Sequence, residues 1–499
     1  MVRIKNEHDL ETLRQIALLV DHENQRLIDR VTKLTLENLK LRGVEGTGQL
    51  ELEIRRSLEA PRDEIFRLDE RKKKSKENQS AKPKGKGHGP RPQPHLPTLE
   101  RMLELPEAER TCSVCDGELG EMSGQYEESE VVTVVKRSFV IEKHLRKKYR
   151  CRCNANVVTA PAAPKLQPGG RYSVEFGVEV AVSKYLDHLP LERQARMMRR
   201  EGLAIDSQTL WDQLNVLARH LEPVYDALGE KVLESPVLHA DETRWPLMGA
   251  KNQKKAAGTV WGLSSPEIAY YRMLPTKSAK DGRKVLGNYR GIAVVDGYAV
   301  YEVLARAGPE LRLAHCWAHV KRKFDEASEH YPQACSEVLG LIGKLYEVER
   351  LVPGPFPGDD EAQALRLRLR QERSRPLVNA IREWAVAQRG LPRSDFGKAV
   401  RYMLERWDKL TVFVDNPLVS PDNNHAERAL RGPVVGRKNH YGSRSKRGTE
   451  VAALFYTLCE TAKLQNVEPR LYLLKAAYAA IQQPGTTVLP DAMSDDSAA

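Results

Sequence analysis

Three carboxylates carry the most chemical promise in this chain. Asp241 lies in His239-Ala240-Asp241-Glu242-Thr243, Asp296 in Val295-Asp296-Gly297-Tyr298, and Glu427 in Pro421-Asp422-Asn423-Asn424-His425-Ala426-Glu427-Arg428. The first two come after short apolar, β-rich runs. Carboxylates at strand ends are held rigidly enough to converge on a metal ion. Their mutual repulsion raises a pKa unless a divalent cation neutralises them. Each also has a plainer reading: Asp296-Gly297 as a hairpin turn, Asp241 as a local cap, and Glu427 as the partner of Asn424 in a capping box. The charge pattern after Glu427 argues against the last of these. Arg428, Arg431, Arg437, Lys438, Arg444, Lys446 and Arg447 run to Thr449 without an acid between them. A carboxylate beside a long cationic stretch suits a metal site that handles nucleic-acid phosphates.

Cysteine supplies the second constellation. Cys112-Ser113-Val114-Cys115 and Cys151-Arg152-Cys153 are two close pairs. Each pair can point two thiolates at one ion, which is what a tetrahedral structural zinc site requires. Two unrelated pairs of buried thiols are the alternative. Four thiolates leave no open coordination position, so catalysis at that zinc is not expected.

The elements that must position these groups are legible in outline. Leu13, Val20, Leu27, Leu34 and Leu41 recur every seven residues, with Leu10, Ala17, Asn24, Val31 and Asn38 in the partner register. That is a parallel coiled-coil pattern, and asparagine at two core positions favours a dimer. One amphipathic helix packed on its own chain would look similar. Residues 46–97 read as a linker. From Arg71 to Arg91 it holds nine basic residues, Lys72, Lys73 and Lys74 among them, against one acid. It is either a solubilising tether or a flexible phosphate-binding arm. Partial alternation over 131–150 suggests a small β-ribbon between the cysteine pairs.

From Tyr172 to Leu233 the pattern is helical. Within it Leu191–Met198, a turn at Gly202 and a cap at Asp206-Ser207 before Thr209 and Leu210 read as a helix-turn-helix. Five β-rich runs then appear: Val237–His239, Thr259–Leu263, Ala269–Leu274, Gly291–Val295 and Leu311–Ala314. The last residues, 484–499, read as a polar, disordered tail.

The chain's 499 residues suggest about three domains. An apolar share of 41% excludes wholesale disorder, and the net charge of +11 points to a polyanionic partner. No run of eighteen apolar residues offers a membrane span. The N-terminal residues lack a secretion signal's apolar core, and seven cysteines are too few for a disulfide scaffold. Reduced thiols in a cytosol are expected.

Taken in order, these motifs resemble the DDE transposases of the insertion-sequence-sixty-six type, from bacterial mobile elements. The resemblance covers almost the whole chain: the zipper, both cysteine pairs, Ser183-Lys184-Tyr185-Leu186-Asp187-His188-Leu189-Pro190-Leu191, the three carboxylate motifs, Cys316-Trp317-Ala318-His319-Val320-Lys321-Arg322-Lys323-Phe324 and Gly436-Arg437-Lys438-Asn439. Trp245-Pro246-Leu247 and a shortened Gly442-Ser443-Arg444 loop depart from the family pattern.

The resemblance implies a multidomain α+β protein. Residues 1–45 would form the zipper, 46–97 the linker, 98–165 a zinc-binding β-ribbon and 166–234 a helical DNA-binding part. Residues 235–483 would form an RNase H-like α/β core with a helical insertion at about 325–415. Asp241, Asp296 and Glu427 would be the catalytic triad, holding Mg²⁺ or Mn²⁺, with Glu242 and Asp422 as neighbouring rivals. Cys112, Cys115, Cys151 and Cys153 would hold structural Zn²⁺. Cys316 and His319 would support the fold.

The implied activity is cleavage and strand transfer of DNA at element ends by two-metal phosphodiester chemistry. DNA would meet Arg428, Arg431, Arg437, Lys438, Arg444, Lys446 and Arg447, and Lys72, Lys73 and Lys74. The implied partners are element ends, target DNA, a second protomer and accessory proteins of the same element, in the bacterial cytoplasm at the nucleoid. Two rival functions remain compatible: a dimeric zinc-containing regulator with an inactive core, and a metal-dependent nuclease without strand transfer.

Overall fold

The computed structural model describes residues 110, 113–120, 138–150, 152, 156–247, 257–308, 310–388 and 392–493. The chain divides into two compact units, Met1–Glu130 and Val131–Ala499. The zipper, the basic linker with Lys72, Lys73 and Lys74, and Cys112, Cys151 and Cys153 lie outside the described residues. Cys115 is described, and it is exposed.

The second unit opens with a short antiparallel ladder, β1 (Lys148–Arg150) on β2 (Val157–Thr159), in register Tyr149↔Val158. This ladder brackets Cys151 and Cys153 and is not a ribbon between the two cysteine pairs; of the 131–150 stretch expected to form one, 131–137 lie outside the described residues. Three helices come next: α1 (Val174–Tyr185), α2 (Leu191–Arg200) and α3 (Ser207–Leu233). Caps start two of them. Ser173 Oγ accepts from Phe176 N (3.2 Å), and Asp206 Oδ1 accepts from Thr209 N (2.7 Å). In α3, Leu210, Leu214, Leu217, Leu221, Val224, Leu228 and Val232 recur every three or four residues and are fully buried. Each contributes roughly 1.5–3 kcal/mol by leaving water.

The sheet comprises β3 (Val237–Pro246), β4 (Ala257–Ser264), β5 (Ala269–Leu274), β6 (Gly291–Val295) and β7 (Leu311–His315), in the order β5-β4-β3-β6-β7. The first three pair antiparallel, whereas β6 and β7 run parallel to β3. Parallel neighbours need crossovers. Helix α4 (Ala279–Leu286) precedes β6 and α5 (Ala299–Ala307) joins β6 to β7.

Beyond β7 come α6 (Trp317–Ala327), α7 (Pro332–Glu349), α8 (Asp360–Leu369), α9 (Arg375–Ala387), α10 (Asp395–Leu404), α11 (Trp407–Leu410) and α12 (Val412–Asp415). The chain then returns through α13 (Asn424–Ala429), α14 (Arg431–His440), α15 (Lys446–Leu464) and α16 (Pro469–Gln482).

Side-chain alternation splits the sheet between two cores. Leu238, Ala240, Ala293, Val295 and Leu313 face α1–α3, α15 and α16, while Val237, Ile292, Val294 and Ala314 face α6, α7 and α9–α12. The helices expected as a DNA-binding stretch therefore share one core with the sheet. The stretch from α6 to α12 is helical, and Arg370 closes it. This fully buried guanidinium donates to the carbonyls of Phe413 (2.6 Å), Asn416 (2.8 Å) and Val419 (3.1 Å), and to both oxygens of Glu349 (2.7 and 2.8 Å).

The C-terminal expectation needs correcting. Residues 484–493 are not a loose tail, because enough of them are apolar to dock. Val488, Leu489 and Met493 pack on the main core, and Pro490 is buried. Tyr472 OH donates to Val488 O (3.1 Å), and Asp491 pairs with Lys231. Among the described residues no helix is long and apolar enough to cross a membrane.

Candidate active site

The parallel pairing of β3 with β6 brings two of the carboxylates together. Its last pair is His239↔Val294. Asp241 and Asp296 each lie two residues further along, so that register sets them opposite one another on strands about 4.8 Å apart. Alternation puts both on the Val237 and Val294 side, facing the insertion. Asp241 does not end its strand. β3 continues to Pro246 against β4, with Asp241↔Gly262, and only the parallel ladder stops there.

Neither aspartate conforms to its plainer reading. Asp241 Oδ1 accepts from Glu242 N (2.8 Å), which caps no helix. Asp296 Oδ1 accepts from Tyr298 N (2.8 Å), and the chain then enters α5 instead of a hairpin.

Glu427 arrives from α13, whose N-cap is Asn423, not Asn424, with no side-chain capping bond. The fully buried Asn423 amide reaches the sheet instead. Its Nδ2 donates to Ala240 O (2.9 Å), and its Oδ1 lies 3.1 Å from His239 Nδ1. Asn423 N donates to Cys316 Sγ (3.1 Å), and Trp317 N to Pro421 O (2.9 Å). His425 Nδ1 sits 3.0 Å from Ser264 Oγ on β4. The approach to Glu427 is thus fastened to β3 one residue before Asp241. Glu427 Oε1 lies 3.8 Å from His319 Nε2 and 4.0 Å from Arg322. Asn423 and His239 were not anticipated as positioning residues; the one available signal was an amide inside an acidic, helix-opening run.

Electrostatics distinguishes the carboxylates. Burial pushes Asp241 up to about 7; the charges of Glu242, Asp296 and Glu427 add to this, and the Glu242 amide opposes it. Glu242 points to the other face of β3. There its Oε2 accepts from Tyr301 OH (2.7 Å) and its Oε1 from Lys277 (3.3 Å). Asp422 accepts from Asn424 N (3.0 Å) and is raised mainly by burial. Both rivals are engaged elsewhere.

Among the described residues no three His, Cys, Asp or Glu side chains are gathered closely enough to ligate one ion. The donor chemistry nevertheless fits a hard divalent cation. The oxygen donors are carboxylates, and one is held against its charge by burial and by its neighbours.

The surroundings are cationic and close-packed. A Cβ on Gly297 would meet Tyr402 OH and Arg406 Nε, so glycine there lets these two side chains pack close beside Asp296. Tyr402 lies between Lys323 (4.6 Å) and Arg406 (4.0 Å). Cys316 is buried, with its thiol pushed up to about 11 by that burial, and its Sγ accepts from Asn423 N.

Of the basic run, Arg428, Arg431, Lys438, Arg444 and Lys446 are at least partly exposed. Arg437 and Arg447, also expected on DNA, are partly exposed and bond within the chain. Arg437 donates to Thr243 Oγ1 (3.1 Å) and to the Arg244 carbonyl. Arg447 donates to Asn215 (2.8 Å) and pairs with Glu222 (2.7 Å).

The chain is similar to two proteins of Sinorhizobium fredii (strain NBRC 101917 / NGR234). It is 29% identical to "Uncharacterized protein y4jD" over 398 residues, covering 76% of each chain. It is 30% identical to "Uncharacterized protein y4qI" over 394 residues, covering 75% of this chain and 71% of that one. The solved "Mos1 transposase paired-end complex with left transposon end" matches 50% of this chain and 80% of that chain, at 12% identity and a TM-score of 0.14. The sequence model of the family described as "Transposase IS66 family" matches residues 169–451, a span that contains all three carboxylates and all five strands of the large sheet. With over half of its 499 residues matched, the chain belongs to the IS66 transposase family.

Proposed function

We propose that this transposase works by DDE chemistry: it binds the ends of an insertion sequence, cleaves a DNA strand there and transfers it to a target. In this reading β3–β7 form an RNase H-like core, and Asp241, Asp296 and Glu427 hold Mg²⁺ or Mn²⁺. When bound, such ions activate the attacking oxygen and stabilise the leaving one. The protein's own part is placement. Strand pairing fixes the spacing of Asp241 and Asp296, and Asn423 holds the turn that presents Glu427. Arg428, Arg431, Lys438, Arg444 and Lys446, which reach the surface, take backbone phosphates. Cys112, Cys115, Cys151 and Cys153 hold structural zinc, and the zipper pairs two protomers so that two ends are brought together.

The observation that supports this reading best is the common register of Asp241 and Asp296, with Glu427 on a turn fastened one residue away. The test uses purified protein, a labelled element end, Mg²⁺ and Asp241→Ala. Wild type should nick the end and join it to target, and the variant should do neither. If wild type binds the end without nicking, a DNA-binding regulator is the better reading. Nicking without joining would leave a nuclease. Should Asp241→Ala cut as well as wild type, the site assignment fails.

A further inference from the structure

Helix α2 buries one face and arms the other. Gln194, Ala195 and Met198 are buried, while Arg193, Arg196, Arg199 and Arg200 stand outside that buried face. At 100° per residue, Arg193, Arg196 and Arg200 form one stripe opposite the buried face, and Arg199 stands on its shoulder. The only acid within α2 is Glu192, and it accepts a hydrogen bond from Ser207 Oγ at the start of α3. Among the described residues none of the four guanidiniums has an ion-pair partner.

Several cations on other surface helices of this chain are neutralised by an acid on the same helix. Lys284 pairs with Asp281, Lys321 with Asp325, Lys398 with Asp395 and Lys463 with Glu460, each three or four residues away. An exposed stripe of three like charges, left unpaired on so short a helix, costs self-repulsion unless an anion covers it. The stripe spans about 10 Å along the helix axis, close to three phosphate-to-phosphate steps of one DNA strand.

We propose that the arginine stripe of α2 is a DNA-backbone site, with Arg193, Arg196 and Arg200 each meeting one phosphate without reading bases. The proposal rests on the reading of the protein as a DNA-binding transposase, and it extends that reading to a helix outside the catalytic centre. It also assigns the helix pair α2–α3 a backbone-gripping first helix, in place of base recognition by α3, whose apolar face is used by the core.

The test measures binding in EDTA, so that no cleavage intervenes, on a duplex from an element end and on one of arbitrary sequence. The full chain is compared with Arg193→Gln/Arg196→Gln/Arg200→Gln and with the matching triple Lys variant. The Gln variant should show a slope of log K against log salt shallower by about 2.7 on both duplexes. The Lys variant should keep the wild-type slope, since phosphates need only the charge. Equal slopes for Gln and wild type overturn the proposal. So does an effect confined to the element end, a Lys variant that behaves like Gln, or a wild type that binds neither duplex. The Asp241→Ala cleavage assay is independent: its failure would leave this slope difference in place, and loss of the slope difference would leave cleavage intact.

Discussion

Asp241 and Glu242 are neighbours in sequence with opposite assignments, and strand alternation is the cause. Asp241 faces Asp296 and the turn leading to Glu427; Glu242 turns away to Tyr301 and Lys277. Glu242→Gln should therefore leave cleavage within a few-fold of wild type. Asp241→Asn should lower it by more than about 100-fold, beyond the usual loss for a residue that only supports a ligand. Single-turnover rates on a labelled end decide this, and equal losses would undo the assignment. Asn423 is tied to the same strand through both ends of its buried amide. Asn423→Ala leaves Ala240 O and His239 Nδ1 without their partner, so it should cost about 2–4 kcal/mol in denaturant unfolding. Its cleavage rate should fall further than that of an equally destabilised variant made in α16. Loss of stability alone would reduce Asn423 to a packing residue.

The helical insertion enters the chain between the second and third carboxylates, so whatever closes it also sets where Glu427 returns. Arg370 performs that closure with Glu349 and three carbonyls from 413 to 419. Arg370→Met strands a nearly buried carboxylate and unsatisfies those carbonyls, which predicts a loss of about 3–5 kcal/mol. Combining it with Glu349→Gln should recover part of that loss; strictly additive losses would show that the pair is not coupled.

At the far end of β3 the Trp245-Pro246 and Gly442-Ser443 segments meet each other. Trp245 Nε1 donates to Ser443 Oγ (3.1 Å), and Ser443 N to Pro246 O (3.1 Å). Gly442 has φ +89°, and a Cβ there would strike Pro246 O. Gly442→Ala should therefore destabilise by at least about 1 kcal/mol, read as a lower melting temperature. No spacing rule would have joined two segments about two hundred positions apart.

Taken whole, the second unit is a sheet between two helical cores, and its buried histidines make it acid-sensitive. Burial pushes His315 down to about 4 against the pull of Glu302, with Lys409 and Arg406 adding to the fall. Burial likewise pushes His440 to about 4, helped by Lys184 and His188. Between those values and the ordinary 6.5 the unfolded chain binds protons that the folded chain does not. Acid therefore pulls the equilibrium toward unfolding, and stability rises with pH across that window. His315 alone accounts for about 3 kcal/mol at most. Asp241, raised to about 7, works the other way over the same window, so the test is the difference: the melting temperature should fall less from pH 7 to pH 4.5 in His315→Gln than in wild type, and equal falls would refute the account.

How much of this fold is legible in the amino-acid order depends on the range of the forces involved. Strands β5 and β6 match their expected runs residue for residue, and the Asp206 cap and leucine spacing of α3 were plain, because periodicity and caps act within a few residues. The basic run after Glu427 was equally visible as charge. Which side chains meet was not. Asn423 finds Ala240 across 183 positions and Arg437 finds Thr243 across 194, contacts set by topology and not by local pattern. The amino-acid order determined the elements and the acids they carry. The packing of those elements decided which acids share a face, which arginines stay at the surface, and that residues 484–493 dock, because burial is a property of the assembled core and not of any segment within it.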